Sequence, residues 1–204
     1  MLGGSRRRRG AKGDAVTTEA PGRSESFWRR LARWIDRGQD LLGRALSWLM
    51  LVMVLVVFGD VVMRYALSVS YVFTQELEWY LFAVIYLMAG GYVLLRDEHV
   101  RVDILYSRWS PRTRAWVNLV LFFVFFFPSC LLVMYTTWPF FRNALAVWEG
   151  SPDPGGIPAR WALKGVIIVA FAILAIQGIS QVIKNYYVAR GWEAPAPPRQ
   201  ERVS

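Results

Sequence analysis

This chain of 204 residues holds one cysteine and one histidine. With Cys130 alone, no disulfide can close within the chain and no cysteine cluster can hold a metal. Cys130 sits in an apolar run and reads as a small packing residue. Cysteine usage therefore says nothing about the redox compartment. With His99 alone, haem cannot be held between two histidines. A zinc site would have to be completed by carboxylates. There is no nucleophile motif with a paired base and no glycine-rich phosphate loop. No metal or cofactor is expected, and no catalytic residue. Acidic residues are also few, 15 against 24 Lys and Arg, for a net charge of +9. Such an excess suits nucleic acid or an anionic membrane surface. The run "RRRR" at 6–9 has no nucleic-acid module behind it. The basic residues flank apolar blocks, which selects the membrane and excludes nucleic acid as the expected partner. No internal repeat is visible, so the inverted halves that often build a transport core are missing.

What the chain does have is apolar length. Hydrophobic residues make up 55% of it and aromatics 15%, gathered in long blocks. Four spans are predicted, at 41–65, 74–95, 115–141 and 161–187, each long enough to cross a bilayer core. The expected fold is an all-α membrane protein with four transmembrane helices over 41–190. Pro128 inside the third span is expected to kink or tilt it. Gln177, Gln181 and Lys184 make one face of the fourth polar. Ser110-Pro111 favours a helix start, and "EGSPDPGGIP" at 149–158 reads as a turn-rich loop. Residues 1–24 are expected to be a disordered basic tail, and 191–204 a second disordered tail. Between tail and first span, 25–40 is expected to be an interfacial amphipathic helix. Phe27, Leu31, Trp34 and Ile35 share one face, and Arg29, Arg30, Arg33 and Arg37 lie largely off it. No small-residue cleavage site follows the first apolar run, so that run is expected to stay as an anchor.

Arginine and lysine set the orientation. Twenty of the 24 fall before residue 45, in the connector 96–114, or from Lys184 onward. These three regions lie on one side of a four-span chain. Only Arg64, Arg142, Arg160 and Lys164 fall on the other, so both termini are expected in the cytoplasm.

A few polar residues stand out against this background. Asp60 and Arg64 are four apart near the outer end of the first span, spaced to pair as an interfacial anchor. Glu76 and Glu78 open the second span, where the positive helix N-terminus favours carboxylates. Glu76 is expected within reach of Arg64, linking the first two helices. Glu76 and Glu78 diverge around the helix by about 200°, which argues against a shared cation site. Gly90-Gly91 suggests close packing between helices or with another subunit. His99, with Asp97, Glu98, Arg101 and Asp103, fits a polar turn that joins the second and third spans.

Two stretches carry a resemblance: "RYALSVSYVFTQEL", with Arg64-Tyr65 followed by Glu76-Leu77, and "GGYVLLRDEHVRVD", with a small pair, a basic residue and then His99-x-x-x-Asp103. With the loop "SPDPGGIPARWALK" they make the chain similar, over about 41–190, to the small membrane subunit (the Q-type component) of tripartite ATP-independent periplasmic (TRAP) transporters. Phe73 stands where that family often has tryptophan, and Trp79 where it often has a basic residue. The resemblance implies an accessory, non-enzymatic scaffold in the bacterial inner membrane. It would assemble with the large membrane subunit of an ion-gradient-driven importer of organic acids or related solutes, and help dock a periplasmic substrate-binding protein. Asp60, Arg64, Glu76, Gly90, Gly91, His99 and Asp103 would then be structural or assembly residues. Two other classes fit the same outline: the membrane anchor of an electron-transfer enzyme, and a stand-alone oligomeric channel or carrier. The single histidine and single cysteine count against the first.

Overall fold

The computed structural model describes residues 27–96 and 109–192. The basic tail, all but the first two residues of the C-terminal tail, and the connector that carries His99 and Asp103 lie outside the described residues. Four helices make up the rest: α1 (Phe27–Ala66), α2 (Val72–Arg96), α3 (Pro111–Ala146) and α4 (Arg160–Ala189). Each is long and apolar enough to cross a membrane, and the described residues contain no strand. The protein is an all-α membrane protein with four spanning helices.

α1 runs for 40 residues without interruption. The predicted division between an interfacial helix at 25–40 and a span from 41 has no counterpart as a break in the helix. The face that turns inward is small and polar, and the aromatic stripe is left facing outward. Ala32, Gln39, Gly43 and Leu46 are buried, while Phe27 and Trp34 are 71% and 74% exposed. The reason is the neighbour. The polar stripe of α4 needs polar partners in an apolar surrounding, and only the Asp36–Gln39 side of α1 supplies them.

α3 begins where Ser110-Pro111 predicts. The Ser110 hydroxyl accepts the Thr113 amide N–H at 3.2 Å, and proline in the first turn sacrifices no hydrogen bond. Phe122–Phe126 then forms one π-helical turn ahead of Pro128. Proline donates no hydrogen bond and its ring crowds the carbonyl four residues back. The widened turn accommodates both, and the helix continues to Ala146.

α4 packs against each of the other three helices. Its glycines admit aromatic rings: Phe126 lies over Gly178 and Phe141 over Gly165. The Tyr92 ring of α2 likewise rests on Gly43 of α1. Many buried positions are small (Ala32, Ala115, Ala144, Ala170, Ala189), whereas Leu51, Leu55, Phe58, Leu131 and Leu132 point outward. Small residues inside and large apolar residues outside are what close helix packing in lipid requires.

The bundle has two ends. At the loop end, 67–71 joins α1 to α2 and 147–159 joins α3 to α4. At the other, here the terminal end, Arg29 sits 4.6 Å over the Tyr187 ring and the Arg112 guanidinium lies against Gly191. Both ends of the described chain therefore meet there, beside the start of α3.

Candidate functional site

Polar side chains concentrate in two places, one at each end of the bundle. At the loop end the centre is Glu76. It lies in the first turns of α2 and is 6% exposed. One carboxylate oxygen accepts the Ser151 hydroxyl, and the other accepts the Ile157 N–H at 2.5 Å. Both donors belong to the α3–α4 loop, which is shaped to present them. Ser151 N–H donates to the Ile157 carbonyl at 3.1 Å, and Gly156 N–H to the Asp153 carbonyl at 3.1 Å. Asp153 N–H donates to the Ser151 hydroxyl at 3.1 Å. Gly155 takes a φ of +83°, a conformation that favours glycine. A Cβ on Gly156 would stand 2.6 Å from the Glu76 carboxylate, so only glycine lets the loop close on it. A second carboxylate, Glu149, fastens the loop to α4 through Lys164 at 2.5 Å and Arg160 at 4.0 Å. Two acids thus clamp one loop onto two helices.

Arg64 is not a partner of Glu76. It pairs with Asp60 on its own helix at 2.6 Å. The predicted Glu76–Arg64 link between α1 and α2 is therefore replaced by a link between α2 and the distant loop. Backbone N–H and hydroxyl donors reach Glu76 from inside the fold, while the Arg64 side chain is 46% exposed and stays with the buried Asp60. The second Asp60 oxygen and one Glu78 oxygen are buried near that pair without a hydrogen bond, as is the Tyr80 hydroxyl, one turn along α2 from Glu76.

At the terminal end a polar layer crosses the bundle. Asp36 of α1 accepts from Lys184 at 2.6 Å, from the Ser180 hydroxyl at 2.8 Å and from the Gln177 amide at 3.0 Å. Gln177 and Ser180 are wholly buried. Gln39 donates to the Ile173 carbonyl at 3.3 Å. Gln181 donates to the Leu94 carbonyl at 2.9 Å, joining α4 to α2. Asp40 of α1 holds Arg96, at the end of α2, at 3.1 Å. The polar face of α4 noted in the sequence thus meets polar partners on α1 and α2, although the side-chain oxygens of Gln39 and Gln177 are buried without a hydrogen bond. Asp36 and Gln39 were not among the expected site residues. Their signal was the stripe Gln177, Gln181 and Lys184, which demands acceptors and donors on a facing helix.

The adjacent glycines differ. A Cβ on Gly91 would meet the Gln39 amide at 2.6 Å, whereas one on Gly90 would touch only Leu174 at 3.8 Å. Gly91 is a close contact between α1 and α2, within this chain. His99 and Asp103 lie outside the described residues. Among the described residues, no group of three His, Cys, Asp or Glu side chains is placed to hold a metal ion.

The arrangement fastens helices to one another, and comparison with known families agrees with that character. The model for tripartite ATP-independent periplasmic transporters, DctQ component, matches residues 53–186. The chain belongs to this family. It is the small membrane component of a TRAP transporter, and the family is one of transporter components, not of enzymes. No curated protein and no solved structure matches it. In this DctQ component the match takes in the Glu76 clamp, the Asp60–Arg64 pair, Gly91 and the polar face of α4. It begins at residue 53, so Asp36 and Gln39 fall outside it.

Proposed function

We propose that this DctQ component is the scaffold of a secondary active importer driven by an ion gradient, which carries organic acids or related solutes. It stands in the bacterial inner membrane against the large membrane subunit. Its loop end faces the periplasm and helps dock the substrate-binding protein. The observation that carries the reading is where the polar groups go. Asp36, Gln177, Ser180 and Lys184 engage each other, and Glu76 engages the loop. These groups bind helix to helix instead of lining a path for solute. The outer faces of α1 and α3 are apolar and suit lipid and a membrane partner.

The test is co-expression with the large membrane subunit of the same system. The two should co-purify in mild detergent, and uptake should require both together with the binding protein. Glu76→Ala and His99→Ala should lower assembly or uptake and leave the solute affinity of the isolated binding protein unchanged. Liposomes that hold this chain alone and take up solute would replace the scaffold reading with that of a carrier.

A further inference from the structure

Between the first turns of α1, the first half of α3 and the last turns of α4 runs an open groove of about 530 Å³ with walls that are apolar almost throughout. Leu119 forms part of its floor, with Tyr187 at its upper end; Trp28, Trp116, Val120 and Phe123 are half-exposed or more along its sides. From Trp116 to Val124 it follows α3 for about 12 Å, most of one leaflet of a hydrocarbon core roughly 30 Å thick. Trp28, Trp116 and Tyr186 cluster at its upper end, as aromatics do where hydrocarbon gives way to headgroups. Three guanidinium groups rim that end. Arg29 lies 4.6 Å over the Tyr187 ring. Arg190 lies 5.3 Å over the Tyr186 ring and donates to its hydroxyl at 3.2 Å. Arg112 rests against Gly191. Among the described residues none of the three has a carboxylate partner.

We propose that this groove holds an anionic phospholipid, with an acyl chain along α3 and α4 and the phosphate between Arg29, Arg112 and Arg190. Charge selects the occupant. Three guanidiniums with no acid among the described residues attract a phosphodiester. A zwitterionic headgroup brings its own cation into the same cluster and loses that advantage. The apolar floor favours a phosphate that carries an acyl chain, because a free phosphate at the same arginines would bury no hydrocarbon along it. The inference rests on the membrane fold alone and does not depend on the transporter partners.

Native mass spectrometry of the full chain in detergent tests it, with phosphatidylglycerol and phosphatidylcholine of identical acyl chains added in equal amounts. The retained lipid should be phosphatidylglycerol, by about fivefold or more. Replacing Arg29, Arg112 and Arg190 together with glutamine should abolish that preference. Val120→Trp, which fills the groove and leaves the arginines in place, should reduce retention of both lipids. Each variant is compared at unchanged helical circular dichroism. Equal retention of the two lipids by the native chain, or an undiminished preference in the triple variant, overturns the proposal. So does a photo-crosslinker at Val120 that captures protein instead of lipid in native membranes.

Discussion

Gly156 and Glu76 form a matched pair: the glycine is bare so that the carboxylate can be surrounded. A single methyl at 156 would fall within 2.6 Å of the acid and push the loop off it. Gly156→Ala should therefore destabilise the protein by about 1–3 kcal/mol. Protease cleavage within 147–159 should rise several-fold. Glu76→Gln should rise less than Glu76→Ala, because an amide oxygen still accepts one of the two donors. Cleavage rates that are identical for the native chain and Gly156→Ala would show that the loop is held by something other than Glu76. This contact was only half legible in the sequence. The need of Glu76 for donors could be read from its place at the start of a span. Its partners could not, because Ser151 and Ile157 lie about eighty positions away and Arg64 was nearer in the chain. Sequence proximity favoured Arg64, whereas burial favoured donors from inside the fold.

The helices themselves were readable because hydropathy is a property of runs. The observed elements extend the predicted spans by a few residues, except α1, which extends by fourteen at its start. What could not be read was which stripe of α1 faces the bundle. Phe27, Leu31 and Trp34 form as good an apolar stripe as any, and in water it would be the buried one. Beside lipid the ranking reverses: aromatics gain little by turning inward, and Asp36 and Gln39 gain hydrogen bonds. The π turn was hidden for a similar reason. Pro128 announces a fault in the hydrogen-bond ladder but does not say how the helix repairs it. The contact between Asp36 and α4 makes a prediction at this scale. In a double-mutant cycle of Asp36→Ala and Lys184→Met, read from thermal transitions in detergent, the two should couple by about 0.5–1 kcal/mol, a modest value since Lys184 is 40% exposed. Ser180→Ala should couple to Asp36→Ala as well. Strict additivity of all three would mean that the polar layer does not act as a unit.

At the scale of the whole molecule, the two polar clusters divide the work. The terminal layer fixes α1, α2 and α4 to one another, while the Glu76 clamp and Glu149 close the opposite end. Twenty of the 24 basic residues fall in the sequence before residue 45, in 96–114 or from Lys184 onward, so the terminal end should lie in the cytoplasm. A fluorescent protein fused to the C-terminus should accordingly be bright, and alkaline phosphatase at the same position inactive. Phosphatase fused within 147–159 should be active. An active C-terminal phosphatase would invert the orientation and place the Glu76 clamp on the cytoplasmic side.

The unbroken course of α1 bears on mechanics. Forty residues at about 1.5 Å each form a rod roughly 60 Å long, about twice the thickness of the hydrocarbon it crosses. A rod without a hinge that pivots at mid-length moves at both ends. A swing of about 10° around its midpoint carries Phe27 through about 5 Å, in the opposite sense to Ala66. Displacement imposed on the 67–71 turn would thus arrive at the terminal end of the bundle as motion of Trp28 and Arg29, with no signal passed between separate parts.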